Sequence, residues 1–184
     1  MILRRRAVLA VAGLFAAGTA GAQQPPASLQ KPLAVPLKWY AVKVEDNAFT
    51  VEMPGIPDHR VVNDKSARGT PFVLHSYSLE AGGFSYVAQT ALYPRDVDVS
   101  QPRRILQAAL DGRTQQLVGR KWSSVQWREA DGATAADSTG TLSGGSMLRQ
   151  LVLLKGSRFV SLAFLGASVT TPEADRFFKS LKLG

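Results

Sequence analysis

The stretch SMLRQLVLLKGSRFVSLAFLGASVTTPEADRFFKSLKL, residues 146–183, decides the fold of this chain. Its first part contains two apolar segments, residues 147–154 and 159–167, joined by Gly156-Ser157, a pair typical of a tight hairpin turn. Apolar side chains occupy both alternating faces of each segment. A strand with one solvated face would alternate more regularly, so we predict a central hairpin whose two faces are both at least partly covered.

An amphipathic helix is predicted directly after this hairpin. Thr170 and Thr171 are both suitable N-caps, and Pro172 fits the first helical turn, where its missing N–H costs nothing. Glu173 lies three residues after Thr170, as it would in a capping box. Four apolar residues then recur at helical spacing and predict a buried stripe. They are Ala174, Phe177, Phe178 and Leu181.

Another helix is expected after Ser100, a candidate N-cap, with Pro102 early in the helix. Its apolar stripe comprises Ile105, Leu106, Ala109, Leu110 and Leu117. Gly112 weakens the second half of the helix, and Arg113 falls near the middle of the stripe. Either the helix ends at Gly112, or it continues and the aliphatic part of the Arg113 side chain lies along the apolar surface while its guanidinium reaches water. We favour continuation to about Val118.

The remaining apolar segments predict strands joined by short turns. These strands are 39–44, 49–53, 59–63, 71–80, 84–93, 122–129 and 133–142. Short connections require mostly antiparallel pairing. We therefore predict one α+β domain over residues 38–184, with a single twisted antiparallel β-sheet and two main helices packed against it.

The first 22 residues have the order of a secretory signal peptide. Three arginines within residues 1–6 precede an apolar run at 7–17, which is too short to span a bilayer. The tripeptide that ends at Ala22 matches the small-x-small cleavage pattern, so we expect cleavage between Ala22 and Gln23. A membrane anchor is the alternative interpretation. Residues 23–37 contain four prolines and predict an extended tether.

The expected destination is the periplasm, reached by the Sec route, with the twin-arginine (Tat) route as the alternative. Without residues 1–22, the chain has 162 residues and five excess positive charges, which suits one mildly basic domain with its own core. The absence of cysteine excludes disulfides, cysteine nucleophiles and thiolate metal sites. Export and modest charge argue against nucleic acid as a partner. No transmembrane segment is expected after cleavage.

The sequence indicates no catalytic, cofactor or metal site. A metal site would need both histidines, His59 and His75, to converge with a carboxylate. Asp58 and Asp64 are the nearest carboxylates, but nothing in the spacing requires convergence. No Gly-x-Ser-x-Gly motif favours a serine hydrolase, although a triad assembled from distant positions stays open. The SGGS turn at 143–146 lacks the lysine and the helix of a phosphate-binding loop.

Positive charge is concentrated in residues 103–128, which contain six basic residues and a single acidic one, Asp111. One interpretation is local, because cations at a helix exit complement the helix dipole. The other is a surface for an anionic partner, either an acidic protein face or phospholipid head groups. This candidate basic patch comprises Arg103, Arg104, Arg120 and Lys121.

The chain resembles PsbP-like exported bacterial domains of unassigned function. The resemblance is carried by FTVEMPGIP (49–57), the two middle hairpins, ILQAALDGRTQQLVGR (105–120) before a strand, and the closing FFKSLKL (177–183). It spans about Trp39 to Leu183 and implies an α/β/α sandwich around an antiparallel sheet, without catalytic residues. Photosynthetic members associate with a manganese-containing complex, but this sequence shows no cluster of metal ligands that would support such an association here. The resemblance supports a binding or assembly role.

Three functions are compatible with these features. We favour a non-catalytic exported domain that binds a protein partner or a small ligand in the cell envelope, without a cofactor. A domain that associates with the envelope surface or anionic lipid is the second, and a hydrolase or other enzyme with an unrecognised site is the third. A deep polar pocket that holds His75 or Arg149 with a carboxylate would favour the enzyme, whereas a flat apolar patch would favour the binding domain.

Overall fold

A computed structural model describes residues 38–130 and 132–184 of the chain. The expected signal peptide, its cleavage site between Ala22 and Gln23, and the tether over residues 23–37 lie outside the described residues. No helix in the described part of the chain is long and apolar enough to cross a membrane.

Strands and helices follow the predicted order of strands, helix, strands, helix, and a short final strand is added. The elements are β1 (Tyr40–Lys43), β2 (Phe49–Met53), β3 (Asp58–Lys65), β4 (Pro71–Ala81), β5 (Phe84–Leu92), α1 (Pro102–Thr114), β6 (Ser124–Ala130), β7 (Ala133–Thr141), β8 (Met147–Lys155), β9 (Arg158–Gly166), α2 (Pro172–Lys179) and β10 (Lys182–Leu183). Short 3₁₀ turns occupy Glu45–Asn47 and Val118–Arg120.

A seven-stranded antiparallel sheet forms the centre of the fold, in the order β3-β4-β5-β9-β8-β7-β6. β9 is its middle strand and β8 is the neighbour of β9, so the predicted central hairpin is confirmed. The pairing of β5 with β9 joins the two halves of the sheet and places Ala88 opposite Leu162. Both of these residues are fully buried on one face, and the adjacent pair of Val87 and Ala163 is buried on the other, as expected for strands that are covered on both faces.

A separate three-stranded sheet has the order β1-β2-β10. The prediction of a single sheet is therefore wrong. The PGIP sequence at 54–57 ends β2, because two prolines and a glycine cannot continue a hydrogen-bonded ladder. β10 then pairs with β2, with Leu183 opposite Phe49, so the C-terminal residues belong to this small sheet rather than to the large one.

The two faces of the large sheet carry separate cores. α2 and the small sheet cover one face, where Phe164 and Phe177 are fully buried. α1 covers the other face, where Leu106 and Leu110 pack against Val152. We refer to these as the α2 face and the α1 face. The class is thus α+β, with helices on both sides of a mostly antiparallel sheet.

α1 ends earlier than predicted. The helix passes Gly112 but stops at Thr114, so the expected continuation to Val118 is wrong. Leu117 is nevertheless buried, because the chain beyond the helix turns back and forms an isolated β-bridge with Leu142. The last member of the predicted stripe therefore reaches the core through a turn rather than through the helix.

The two helices begin differently. Thr171 caps α2, since its Oγ1 accepts a hydrogen bond from the Ala174 N–H at 3.2 Å. Ser100 does not cap α1, because its hydroxyl donates to Asp98 Oδ1 instead. Gln101 takes the N-cap position of α1 without a side-chain hydrogen bond to the helix.

Candidate functional site

A cleft of about 350 Å³ opens on the α1 face, beyond the C-terminal end of α1. Its walls come from that helix end, from the β4–β5 hairpin and from the ends of β8 and β9. Its polar lining consists of Glu80, Ser85, Arg113, Gln116 and Ser146. Leucines supply most of the apolar wall: Leu142, Leu148 and Leu165. A concave site with an apolar wall and a few convergent polar groups is the usual form of a small-ligand site.

Arg113 is a buried cation on the wall of this cleft. The residue is 8 % exposed, and its Nη1 donates to Gln116 Oε1 at 3.4 Å. Burial lowers the pKa of Arg113, yet an arginine keeps its charge at physiological pH. The expectation that this side chain carries its charge outward is wrong, because the last turn of α1 lies against the sheet and directs Arg113 to the cleft.

A row of serine and glutamine side chains continues across the α1 face of the sheet. Gln89 Nε2 donates to Ser76 Oγ at 3.2 Å, and Gln150 Nε2 donates to Ser161 Oγ at 3.1 Å. Ser138 Oγ donates to the backbone oxygen of Gln150 at 3.0 Å. Gln150 is 4 % exposed, and its Oε1 has no hydrogen-bond partner among the described residues. Most cores have aliphatic side chains at such positions, because burying an amide or a hydroxyl costs free energy of desolvation.

A cluster of titratable groups lies on the α2 face of β3 and β4. The register places His59 opposite Tyr77 and Val61 opposite His75, so the two histidines are diagonal neighbours on one face. His59 Nε2 lies 3.2 Å from His75 Nδ1. The His59 ring also stacks on Tyr77, with ring centroids 4.3 Å apart and planes inclined by 10°. The fold thus brings together the two histidines whose convergence the spacing did not require.

The carboxylate beside the histidines is Glu45, rather than Asp58 or Asp64. Glu45 Oε2 lies 3.9 Å from His75 Nδ1, and one ligand atom from each of Glu45, His59 and His75 lies within 4.8 Å of the others. Asp58 and Asp64 alternate with His59 along β3, so they project from the opposite face of the sheet. Glu45 begins the 3₁₀ turn between β1 and β2, so the small sheet positions it over the large one. We call these three residues the histidine cluster.

The predicted basic patch is divided between the two ends of α1. Its members are Arg103 and Arg104 in the first turn, and Arg120 and Lys121 beyond the last turn. The helix between the two pairs is about 15 Å long. Arg103 is also engaged, since its Nε lies 3.8 Å from Glu129 Oε1 and its guanidinium lies 5.6 Å from the Trp127 ring centroid. All four residues are exposed, but the helix separates them into two pairs.

Arg149 belongs to an ion pair between secondary-structure elements. Its Nε and Nη2 donate to Asp137 Oδ1 and Oδ2 at 3.1 and 2.8 Å, and its Nη1 lies 3.6 Å from Asp175 Oδ1. The guanidinium lies 4.4 Å from the Phe178 ring centroid. The hydrogen bonds with Asp137 are the main cause that raises the pKa of Arg149. Arg149 therefore fastens α2 to β7 and β8, and neither Arg149 nor His75 lines the cleft.

The cleft lacks the groups of a serine hydrolase among the described residues. It holds Glu80 and the hydroxyls of Ser85 and Ser146, but both histidines of the chain lie on the opposite face of the sheet. A serine nucleophile needs an adjacent base to take its proton. The cleft can therefore bind a ligand through hydrogen bonds and charge, without a triad.

Sequence reasoning missed Glu45 and misplaced Arg113. A usable signal existed for Arg113, since a basic residue in the middle of an apolar stripe must either escape to water or enter a polar site. No local signal marks Glu45, whose position depends on how the small sheet packs on the large one.

No family model and no curated protein matches this chain. The function must therefore be argued from the geometry of these two places, the cleft and the histidine cluster.

Proposed function

We propose that this protein is a non-catalytic exported domain that binds a small ligand with an anionic group in the cell envelope. The observation that carries the proposal is Arg113, 8 % exposed, on the wall of the cleft of about 350 Å³. A guanidinium presents a planar fork of N–H donors that matches carboxylate and phosphate. Away from bulk water, such a charge-assisted pair is stronger than on an open surface.

The other polar groups of the cleft define the rest of the ligand. Glu80 accepts hydrogen bonds, and the Ser85 and Ser146 hydroxyls both donate and accept them. A ligand with an anionic group for Arg113 and hydroxyl or N–H groups for Glu80 complements this lining. The leucine wall would bury an apolar portion of the same molecule. Export itself is proposed from the order of residues 1–22.

Native mass spectrometry of the protein purified from a periplasmic extract tests this proposal. The wild-type chain should carry a small anionic molecule, and Arg113→Met should lose it, because methionine keeps an apolar stem but removes the guanidinium. Arg104→Met is the matched control, since it removes an exposed arginine from the same helix. Equal occupancy in Arg113→Met and wild type would contradict the proposal, as would a wild-type protein that carries no small molecule.

A protein partner in the envelope is the other form of the same proposal. Affinity capture from the periplasm, followed by mass spectrometry, identifies such a partner. If Arg113→Met abolishes capture of one protein and Arg104→Met does not, the cleft binds that protein rather than a small molecule.

We further propose that the domain is PsbP-like. What supports this is an antiparallel sheet with α1 on one face and α2 on the other. The small sheet β1-β2-β10 departs from the single sheet that the resemblance implies. Superposition of an experimental structure on a PsbP domain tests the relationship, which requires the large sheet to match strand for strand.

A further inference from the structure

We propose that Glu45, His59 and His75 form a binding site for one divalent transition-metal ion of the zinc class. The site lies on the α2 face, on the other side of the large sheet from the cleft. It is thus independent of the proposed ligand-binding function, and either proposal can fail without the other.

The distances within the histidine cluster suit such an ion. Zinc–nitrogen bonds of about 2.0–2.1 Å in tetrahedral geometry place two ligand nitrogens about 3.3–3.4 Å apart. His59 Nε2 and His75 Nδ1 are 3.2 Å apart. Glu45 Oε2 is 3.9 Å from His75 Nδ1, so a small rotation of this exposed side chain completes a three-ligand set.

The ligand types select the class of metal. Two imidazole nitrogens favour zinc, copper, nickel or cobalt over magnesium and calcium, which take oxygen ligands. Two histidines and one carboxylate leave at least one coordination position for water or for a group from a partner molecule. The cluster is therefore an open site rather than a closed structural one.

The surrounding fold holds the ligands in place before any ion arrives. The His59 ring is fixed by its stacking on Tyr77, which is 8 % exposed and belongs to the core of the α2 face. A ligand whose position is fixed before the ion binds loses less entropy on binding.

The site is also open to solvent. The Glu45 and His75 side chains are 46 % and 20 % exposed, and Val61 on β3 and Val73 on β4 are 54 % and 37 % exposed. An ion can therefore enter without unfolding. The competing interpretation is a stacked and hydrogen-bonded histidine pair that needs no ion, and it assigns no role to Glu45.

Zinc binding to the untagged protein tests the proposal, because an affinity tag of histidines would mask the site. Equilibrium dialysis against Zn²⁺ should give one ion per chain, and Zn²⁺ should raise the unfolding temperature, since an ion that binds the folded state stabilises it. Mg²⁺ should do neither. His59→Phe and His75→Phe keep an aromatic ring for stacking but remove the nitrogen, and each should abolish both effects.

Two further variants separate the metal site from the bare histidine pair. Glu45→Gln should weaken zinc binding by at least about tenfold, the usual minimum for losing a supporting group of a metal site. Asp64→Asn, on β3 but on the opposite face, is the matched control and should bind zinc like wild type. Equal zinc content in wild type and in the double His59→Phe, His75→Phe variant would overturn the site. Wild-type affinity in Glu45→Gln would overturn the three-ligand set.

Discussion

The two faces of the seven-stranded sheet are built from different side chains. On the α2 face, Tyr86 is packed edge-to-face against Trp39, Phe164 and Phe177, with ring centroids between 5.2 and 5.9 Å apart. Tyr86 is fully buried, and this burial raises its pKa to about 12. Such offset aromatic pairs add to the free energy of simple burial. This face is an aromatic core that α2 and the small sheet close.

The α1 face combines aliphatic residues with the polar row and the cleft. Leu106 and Leu110 of α1 pack onto it, but Gln150 on β8 and Ser161 on β9 are also buried there. Polar groups in a core reduce stability unless every hydrogen bond is satisfied. The Tyr86 hydroxyl on the α2 face also has no hydrogen-bond partner among the described residues. We therefore expect the α2 face to contribute more stability through its aromatic packing rather than through the absence of buried polar groups.

The largest expected effect is on the α2 face. Phe177→Ala should lower the free energy of unfolding by about 3–5 kcal/mol, because Phe177 is fully buried and leaves a cavity beside Tyr86. Leu110→Ala on the α1 face should cost only about 2–3 kcal/mol, since the helix end beside an open cleft can relax into the space. Urea unfolding of both variants measures the two losses. A larger loss for Leu110→Ala would reverse the comparison of the faces.

Ser66 organises a loop at the border of the α1 face. Its hydroxyl donates to the Asp96 carboxylate and accepts the N–H groups of Arg68 and Thr70 at 3.2 and 3.1 Å. Ser66→Ala should therefore cost about 1–2 kcal/mol at neutral pH, because it removes hydrogen bonds from a buried site.

The cost of Ser66→Ala should depend on pH. The hydrogen bond from Ser66 is the main cause that lowers the pKa of Asp96. A lowered pKa means that folding favours the carboxylate, so this stabilisation is complete above the ordinary value of 3.8 and disappears as the pH falls through the lowered folded value. Urea unfolding at pH 7 and near pH 3 should therefore show a smaller difference between wild type and Ser66→Ala at the acidic pH. A constant difference would exclude the Asp96 contribution.

The centre of the fold could be predicted from sequence, and its edges could not. The strands β8 and β9 carry mostly apolar residues on both faces, a pattern that favours the middle of a sheet. β10 comprises only Lys182 and Leu183, which is too short for any periodicity, and its pairing with β2 depends on the path of the chain after α2. The second sheet was missed for this reason.

The histidine cluster was partly within reach of the sequence. Pairing the strands predicted at 59–63 and 71–80 symmetrically about the loop between them places His59 opposite His75, two residues from the observed register, in which His59 lies opposite Tyr77. Either register puts His59 and His75 on one face and Asp58 and Asp64 on the other, because side chains alternate between the two faces along each strand. The separation of the histidines along the chain does not show this until a register is chosen. Glu45 could not be found in this way, because it reaches the cluster through packing between two sheets.

A smaller effect is expected from the polar row. Replacing both Gln150 and Ser161, as Gln150→Met with Ser161→Ala, removes a buried pair together with an Oε1 that has no hydrogen-bond partner among the described residues. Replacing both partners of a buried hydrogen bond by apolar groups is often neutral or stabilising. The unfolding free energy should stay within about 1 kcal/mol of wild type or rise. A loss above that range would show that the row supports the α1 face.

The smallest expected effect concerns the basic patch, which also lies outside both cores. Its function would be to attract an anionic surface, but its two pairs lie at opposite ends of α1. The helix between them is about 15 Å long, whereas charges are screened over roughly 8 Å at physiological ionic strength. Arg103 is further engaged with Glu129 at 3.8 Å, and exposed pairs of this kind contribute little to stability. Each pair must therefore act almost alone, and binding to anionic lipid should be weak.

Co-sedimentation with vesicles of anionic phospholipid at low and at high salt measures that binding. If the patch is functional, low salt gives detectable binding that high salt abolishes, and reversal of Arg104 and Arg120 to Glu abolishes it as well. Arg104 lies in the first turn of α1 and Arg120 beyond its last turn, so the double reversal changes one residue of each pair. Binding that is unchanged by salt and by the double reversal would contradict a role for the patch. In that case the exposed valines beside the histidine cluster would be the next candidate for a lipid contact.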